Sequence, residues 1–244
     1  MIRPLQTACL TVLLALTATG AQAAEFTPAQ RAEIVTILRE ALKKDPSILR
    51  DAVVALQTDE TDHAQAASRA AISQVQGQLV VPDDPVAGNA QGDVTIVEFF
   101  DTRCPYCRKM EPVMDNFLLQ DRKVRLVYKD LPILGPASVL GTKALLAAQK
   151  QNAYVRMRDA VMKLPPDTTL PQLEAAARGL GLDWPRMAHD MDDPSVQARI
   201  DANLNLAHAM GIQGTPALVI GNDLIPGAVD LPDLQKAVAE ARKG

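Results

Sequence analysis

Two cysteines separated by two residues, Cys104 and Cys107, form a Cys-Pro-Tyr-Cys motif with Pro105 and Tyr106 between them. The motif directly follows an apolar run at 94–100 that predicts a buried strand, and it precedes a stretch that can be helical. A helix N-terminus presents unpaired N–H groups and the positive end of the helix dipole, which favour a thiolate. This arrangement is typical of thiol–disulfide chemistry, in which Cys104 attacks a disulfide and Cys107 releases the mixed disulfide.

The tripeptide Gly214-Thr215-Pro216 lies just before a second apolar run at 217–220. A proline there could simply begin the strand, and only about 5–6% of X–Pro bonds in folded proteins are cis. A redox site, however, needs a loop beside the sulfur atoms that presents its backbone to an extended substrate. We therefore predict a cis Thr215–Pro216 bond close to the motif.

Glu98 is an acidic residue within the predicted strand 94–100, where it shares a face with Ile96 and Phe100. A carboxylate among such apolar neighbours is unusual. One interpretation is a buried proton acceptor that helps to deprotonate Cys107. The alternative is a solvent-facing or salt-bridged acid, for which Lys129 on the next strand is a possible partner.

The charges around the motif allow two interpretations. Arg103, Arg108 and Lys109 would favour a thiolate by proximity, but they are nearly as well explained as ordinary surface charges. Tyr106 cannot carry a positive charge, unlike a histidine at the same position. We therefore expect a less oxidising disulfide than in a site with histidine there.

The N-terminal sequence predicts export. Arg3, an apolar core at 10–18 and Ala21-Gln22-Ala23 match a signal peptide at 1–23. A transmembrane anchor is the alternative, but the apolar stretch falls short of the ~20 residues that a span needs. Cleavage would remove Cys9 and leave the motif pair. A disulfide between two such close residues would constrain the unfolded chain little. The pair is therefore better explained by redox chemistry than by a structural disulfide. A formal charge of −4 argues against nucleic-acid binding.

The remaining chain divides into three predicted parts. The pattern at 24–57 predicts two short helices, separated at Asp45-Pro46. Because the pair is too small to form its own core, its apolar faces must be covered either by the main domain or by other copies of the segment. The polar segment 58–78 predicts a linker that can be helical. The main domain, 79–244, predicts an α/β fold with strands at 79–81, 94–100, 124–129, 217–220 and 223–225, and with a helical insertion at about 136–210.

These motifs together resemble the DsbA family of exported thiol–disulfide oxidoreductases. The resemblance rests on Val-Glu-Phe-Phe-Asp-x-x-Cys-Pro-Tyr-Cys at 97–107 and on Gly-Thr-Pro at 214–216, and it covers residue 79 to the C-terminus. It implies a thioredoxin-like fold with an inserted helical domain, a catalytic Cys104–Cys107 pair, a cis Pro216, a buried acid at Glu98 and no cofactor beyond the redox-active disulfide.

The two N-terminal helices resemble those of the ScsC branch, the suppressor of copper sensitivity protein C. In that branch the segment can drive trimerisation, and disulfide shuffling is described. The resemblance implies a periplasmic protein that acts on exported proteins with cysteines and that has a membrane redox partner of the DsbD/ScsB or DsbB type. Tyr106 and Thr215 depart from the histidine and valine of the oxidase DsbA itself, so the resemblance favours an isomerase or reductase.

Three other functions stay open at this point. The first is a DsbA-like dithiol oxidase. The second is a copper-tolerance protein that binds Cu(I) through Cys104 and Cys107, because two thiolates suit this soft ion. The third is a scaffold with a structural disulfide, against which the accessories Glu98 and Thr215-Pro216 argue. A structural zinc site needs four ligands, and the histidines form no spaced pair with the cysteines.

Overall fold

The structure is a computed structural model that describes residues 26–243 of the 244-residue chain. The predicted signal peptide, with Arg3 and Cys9, lies outside the described residues. The chain divides into two compact units, with the boundary between Gln57 and Thr58.

Helix α1 (Pro28–Lys44) lies in the first unit and begins at a capping box, in which the Thr27 hydroxyl accepts a hydrogen bond from the Gln30 N–H at 3.3 Å. Asp45 follows α1, and its carboxylate accepts the N–H of Ser47, where α2 (Ser47–Leu79) begins. No residue of α1 is buried within the single chain. Its apolar stripe is exposed and consists of Ile34, Ile37, Leu38 and Leu42.

The segment 58–78, predicted as a linker, is part of helix α2. Within the second unit, Ile72 of this helix is fully buried in a cluster that includes Val97 and Phe99. The segment therefore contributes to the core of that unit. Alanine and glutamine favour a helix, and the buried side chains of Ile72 and Leu79 dock it against the sheet.

The second unit is built on a five-stranded sheet with the order β1-β3-β2-β4-β5. The central pair, β2 and β3, is parallel, and every other pair is antiparallel. A parallel pair needs a crossover, and α3 provides it. The strands are β1 (Val86–Gly88), β2 (Val94–Phe100), β3 (Val124–Asp130), β4 (Ala217–Ile220) and β5 (Asp223–Pro226).

Helices cover the sheet and form a block between β3 and β4. The crossover helix is α3 (Pro105–Gln120), and α9 (Leu231–Ala241) closes the described chain. The block between β3 and β4 consists of α4 (Pro136–Gln149), α5 (Tyr154–Val161), α6 (Leu170–Gly179), α7 (Trp184–Asp190) and α8 (Pro194–Ala209). We call these five helices the helical insertion.

The first strand was predicted in the wrong place. Leu79 ends α2, and residues 80–81 are not in a strand, whereas the strand that pairs with β3 is β1. The Asp84 carboxylate accepts the Val81 N–H at 2.7 Å and helps to turn the chain before β1 begins. The short apolar run at 79–81 is therefore helix end and turn, because a local hydrogen bond competes with strand pairing there.

Alternation along β2 divides the core into two clusters. Ile96 and Phe100 point into the cluster that contains α3 and the helical insertion, whereas Val97 and Phe99 point to the other face. Glu98 lies between Ile96 and Phe100 in the sequence of β2 and so faces the same side as the cysteines. The predicted facing of Glu98 is thereby confirmed.

Candidate active site

The cysteine motif lies at the junction between β2 and α3. Cys104 is the N-cap of α3, Pro105 occupies the first turn, and the Cys104 N–H donates to the Asp101 carbonyl oxygen at 3.0 Å. Proline suits this position because the first N–H groups of a helix have no partner within the helix. Cys107 follows in the first turn of α3. The predicted strand–motif–helix order is confirmed.

The loop before β4 meets the motif at Cys104. The Thr215–Pro216 bond is cis, as predicted. The Cys104 Sγ atom lies 3.1 Å from the Thr215 carbonyl oxygen, within hydrogen-bonding distance for a thiol donor. Residues 111 positions apart in the sequence therefore form one site. The Gly227 N–H donates to the Pro216 carbonyl oxygen at 2.8 Å and ties this loop to the end of β5.

The two thiols have different environments. Both cysteines are free, and the exposed fraction is 4% for Cys104 and 0% for Cys107. Burial strongly raises the pKa of the Cys107 thiol, and the negative charges of Cys104 and Glu98 add to the effect, while the Asp101 backbone and the Thr215 hydroxyl oppose it. Cys107 is therefore a protonated thiol at neutral pH and needs a base before it can act as a nucleophile.

Glu98 is a buried acid on the face of β2 that carries the motif. Its pKa is raised by burial, an effect that Arg158 opposes. An Arg158 nitrogen lies 3.7 Å from the Glu98 Oε2 atom. The alternative prediction, in which Lys129 pairs with Glu98, is wrong. Lys129 pairs in register with Phe99 and so lies on the other face of the sheet, where its Nζ atom is 2.7 Å from Asp84.

Arg108 connects α3 to the helical insertion. Its guanidinium donates to the Thr102 carbonyl oxygen at 2.7 and 2.9 Å, to the Met162 carbonyl oxygen at 3.0 Å and to the Leu164 carbonyl oxygen. These are backbone acceptors on two separate parts of the chain. Arg108 therefore anchors the motif to the insertion, a role that its position in the sequence did not indicate.

The other two flanking cations are Arg103 and Lys109. The Arg103 guanidinium donates to the Leu134 carbonyl oxygen and to the exposed Asp167 carboxylate. Lys109 is exposed on α3. Tyr106, the second of the two residues between the cysteines, is 62% exposed. Solvent screens the exposed Lys109 charge, whereas the half-buried Arg103 pairs with Asp167.

Asp101 is a site residue that the sequence analysis missed. It is fully buried, and its carboxylate accepts the N–H groups of Arg103 at 2.8 Å, Ile133 at 2.8 Å and Leu134 at 3.0 Å. It therefore joins the motif turn to the loop after β3. An aspartate directly after a buried strand and before a turn is the signal that could have found it, because aspartate commonly accepts backbone N–H groups in turns.

A groove of about 310 Å³ runs beside the cis-proline loop. It is lined by the loop 211–217 and by Leu224, Pro226 and Gly227. The groove is next to the Cys104 sulfur atom because Thr215 contributes to both. Its backbone-rich wall offers an extended peptide both hydrogen-bonding groups and apolar contact.

Residues 26–243 lack two features. No helix in that range is long and apolar enough to cross a membrane. The same range holds no group of three or more His, Cys, Asp or Glu side chains that could hold a metal ion.

Comparison with curated proteins and solved structures places this architecture among known ones. The Na⁺/H⁺ antiporter NhaA 3 of Salinispora tropica is 30% identical over 169 residues, which is 67% of this chain but 26% of that protein. The chain thus spans about a quarter of the first curated relatives that it matches. A thioredoxin-like oxidoreductase from Silicibacter pomeroyi is 41% identical, with a TM-score of 0.65, and the alignment covers 67% of this chain and 95% of that one.

A Proteus mirabilis ScsC structure extends the likeness to more of the chain. It is 29% identical, with a TM-score of 0.65, and the alignment covers 89% of this chain and 97% of that one. The family model for the copper resistance protein ScsC N-terminal domain matches residues 30–62. The model for the DSBA-like thioredoxin domain matches residues 95–239, which include the motif, the helical insertion and the cis proline. The chain therefore belongs to the DSBA-like thioredoxin family, and the thioredoxin-like fold predicted from its sequence is confirmed.

Proposed function

We propose that this protein is a thiol–disulfide oxidoreductase that exchanges disulfides with other proteins through Cys104 and Cys107. The observation that carries the proposal is the 3.1 Å contact between the Cys104 sulfur and the carbonyl oxygen of Thr215, which precedes the cis proline. That contact puts a nucleophile beside a backbone edge that can align a peptide. The family assignment supports the same activity.

The chemistry follows from the different environments of the two thiols. Cys104 at the N-terminus of α3 attacks a substrate disulfide as a thiolate, and a mixed disulfide forms while the first substrate thiol leaves. Cys107 then loses its proton to Glu98 and attacks the Cys104 sulfur, which closes the Cys104–Cys107 disulfide and releases the second substrate thiol. The net reaction reduces the substrate disulfide by two electrons, and its reverse oxidises a substrate dithiol.

A direct test uses the protein with a peptide disulfide and with a protein whose disulfides have been scrambled. We expect the reduced protein to reduce the peptide with a stoichiometry of one disulfide per chain. We also expect it to restore activity to the scrambled protein. A chain that leaves both substrates unchanged while its cysteines are reduced would refute the proposed activity.

We further propose that the site works as an isomerase or reductase rather than as a strong oxidant. Tyr106 lacks the positive charge that a histidine would place next to Cys104, and a less stabilised thiolate means a more stable disulfide. The Thr215 hydroxyl is close enough to Cys107 to lower the pKa of that thiol, an effect smaller than that of burial. A DsbA-like dithiol oxidase is the alternative direction of the same chemistry.

Replacing Tyr106 by histidine is expected to raise the reduction potential. We predict a wild-type potential below about −120 mV, nearer the −180 mV of a disulfide isomerase, and an increase of about 30 mV, or tenfold in the equilibrium constant, for Tyr106→His. The measurement is equilibrium with glutathione, read by thiol alkylation and mass. Tyr106→Phe is the matched control and should not raise the potential. A wild-type value at or above −120 mV, or no increase with histidine, contradicts this prediction.

We propose that the segment 24–57 drives self-association, with a trimer as the expected state. The supporting observation is the α1 stripe of four apolar side chains, which are exposed among the described residues 26–243. The match to the ScsC N-terminal domain model supports the same interpretation. Joined subunits would hold several reduced sites around one substrate and would limit access of a membrane oxidase.

Deleting residues 24–57 from the mature protein is expected to give a monomer that still oxidises dithiols but loses isomerase activity. Light scattering measures the mass, which should fall from three chains to one. A finer test compares Leu38→Lys on the exposed apolar stripe with Glu40→Lys on the same helix. The first should dissociate the oligomer and the second should not. A full-length mature protein that is already monomeric would end the proposal.

We propose that the protein works in the periplasm on exported proteins that contain cysteines. The basis is the signal-peptide pattern at 1–23, which predicts cleavage after Ala23. A periplasmic site also implies a membrane partner that sets its redox state, of the DsbD/ScsB or DsbB type. Trapping the redox state of Cys104 and Cys107 in cells distinguishes the two, because a DsbD-like partner keeps the pair reduced and a DsbB-like partner keeps it oxidised.

Binding of Cu(I) by Cys104 and Cys107 is a second candidate, favoured by the match of residues 30–62 to a domain model of a copper resistance protein. The two free thiols are the soft ligands that Cu(I) prefers. Chelation would need the thiolates alone, whereas exchange also uses Glu98 and the loop at Pro216. Thr215→Ala and Glu98→Gln should therefore leave Cu(I) affinity nearly unchanged while they alter exchange rates.

A further inference from the structure

Arg158, in helix α5 of the helical insertion, is a charged side chain inside the protein. It is 2% exposed, and its guanidinium carbon lies 4.8 Å from the ring centroid of Phe100 and 4.4 Å from that of Tyr128. Guanidinium groups are attracted to the faces of aromatic rings. Arginine also keeps its proton at any physiological pH. The interior beside β2 and β3 therefore holds a permanent positive charge.

Three carboxylates surround this guanidinium. Its nitrogens lie 3.7 Å from Glu98, 3.5 Å from Glu111 and 3.7 Å from Asp159. The Glu98 side chain is 1% exposed, whereas those of Glu111 and Asp159 are 12% and 44% exposed. Water can stabilise the charges of Glu111 and Asp159, but it does not reach Glu98. Of the three, Glu98 therefore depends most on Arg158.

The protonation of Glu98 is a balance between burial and its charged neighbours. Burial raises its pKa, Arg158 lowers it and Asp115 raises it. On the antiparallel side, Leu218 of β4 is its apolar partner in register. The ionisable groups that act on Glu98, or on which its charge acts, are Arg158 from α5, Asp115 and Cys107 from α3, and Tyr128 from β3. Arg158 is the cation of this set.

We propose that Arg158 is a positioning residue for disulfide exchange: it keeps Glu98 ionised in the interior, so that Glu98 can accept the proton of Cys107. The inference rests on the proposed function. In this step the Cys107 thiol gives its proton to Glu98, and its sulfur attacks the Cys104 sulfur. The bond between Cys104 and the substrate breaks, and the substrate leaves as a thiolate that takes a proton from water. Glu98 then returns its proton to solvent.

Through Arg158 the helical insertion takes part in the chemistry. Both thiols and Glu98 come from the β2–α3 region, but the cation comes from a helix beyond β3. Without Arg158, burial would leave Glu98 as a neutral acid over a wider pH range. A neutral acid cannot accept a proton. Loss of Arg158 should therefore slow the resolution step at low pH and leave the rate of the first attack unchanged.

The test is Arg158→Met in single-turnover reactions with a symmetrical peptide disulfide. Methionine keeps an unbranched apolar side chain against the two rings. The first phase releases one peptide by Cys104 attack, and the second releases the other by Cys107 resolution. We expect the fall in the rate of the second phase at low pH to move to higher pH. Below the wild-type midpoint, the second phase of the variant should be about tenfold slower than that of the wild type. The first phase should keep its pH profile, and Arg158→Lys should restore part of the second.

Three controls separate this role from a structural one. Arg158→Met should cause no further change in a Glu98→Gln background. Glu111→Gln removes another contact of the same guanidinium and should not move the fall to higher pH. Carbon-13 NMR of the wild-type protein, with Glu98→Gln for assignment, should find the Glu98 carboxyl ionised at pH 7, a readout that needs no Arg158 variant.

Either of two results overturns the inference. One is a second-phase pH profile of Arg158→Met that coincides with the wild-type profile, and the other is a Glu98 carboxyl that is protonated at pH 7 in the wild-type protein. Both leave disulfide exchange itself intact. A wild-type protein that releases no peptide at any pH would instead refute the proposed function, and the inference with it.

Discussion

Replacing Cys104 by serine is expected to abolish disulfide exchange, whereas replacing Cys107 by serine should stop the reaction at a mixed disulfide. Cys104 caps α3 and contacts the Thr215 carbonyl oxygen, so it meets the substrate first. Cys107 is fully buried, and burial raises the pKa of its thiol. A serine hydroxyl forms no disulfide, so Cys104→Ser should react with a peptide disulfide at the uncatalysed rate.

Mass spectrometry measures both outcomes. Cys107→Ser should carry one peptide per chain, and Cys104→Ser should carry none on the same timescale. Tyr106→Phe is the matched control, because it changes the motif and keeps both thiols. Alkylation adds an independent measure: in the wild-type protein near neutral pH, Cys104 should react much faster than Cys107. Equal alkylation rates, or adducts on Cys107 of the Cys104→Ser variant, would contradict the assignment.

Replacing Asp84 by alanine is expected to lower the free energy of unfolding by about 3–5 kcal/mol. The Asp84 carboxylate lies 2.7 Å from the Lys129 Nζ atom, and their side chains are 1% and 2% exposed. It also lies 2.9 Å from Arg199 and accepts the Val81 N–H. Removing it leaves the Lys129 ammonium buried without its carboxylate. Urea unfolding of the full mature protein, followed by circular dichroism, measures the loss.

The pH dependence of the Asp84→Ala variant has a defined sign. Burial lowers the pKa of Lys129, and hydrogen bonding to Asp84 opposes that effect. Without Asp84 the folded-state pKa falls further below the unfolded value, so the unfolded chain binds more protons. Stability of the variant should therefore rise relative to wild type as the pH increases through the folded-state pKa of Lys129.

Two further variants control for this result. Asp83 is adjacent but 89% exposed, and it lies 4.0 Å from Arg199. Asp83→Ala should therefore change the free energy of unfolding by no more than about 0.5 kcal/mol. The double variant Asp84→Leu with Lys129→Met replaces the buried pair by apolar side chains and should recover much of the loss. An Asp84→Ala protein as stable as Asp83→Ala would show that the ion pair between Asp84 and Lys129 does not stabilise the fold.

Patterns between residues close together in the sequence were enough to predict the cysteine motif and its immediate surroundings. The strand at 94–100, the motif after it and the helix that follows are adjacent in sequence, and their order alone places Cys104 at a helix N-terminus. The period of two along that strand grouped Glu98 with Ile96 and Phe100, and the structure shows that this face is the one that carries the cysteines. The cis bond at Pro216 was predicted from the chemical need for a backbone edge beside the sulfur atoms.

Neighbours that come from distant parts of the chain could not be predicted in this way. Lys129 looked like the partner of Glu98 because the two lie on adjacent strands, but the register pairs it with Phe99 and directs it to the other face. The cation beside Glu98 is Arg158, which comes from a helix that packs against the sheet only in the folded chain. Asp101 likewise acquires its role from the loop at 133–134.

The sequence by itself determined the thiol chemistry, the face that Glu98 shares with Ile96 and Phe100, and the strands that carry the site, because each depends on residues a few positions apart. The tertiary structure decided which charges share the interior, where the first strand pairs, and that the helix at 58–78 docks on the sheet through Ile72. Periodicity specifies which face of an element is buried. It carries no information on which distant side chain will be buried against that face, and that choice sets the electrostatics of the site.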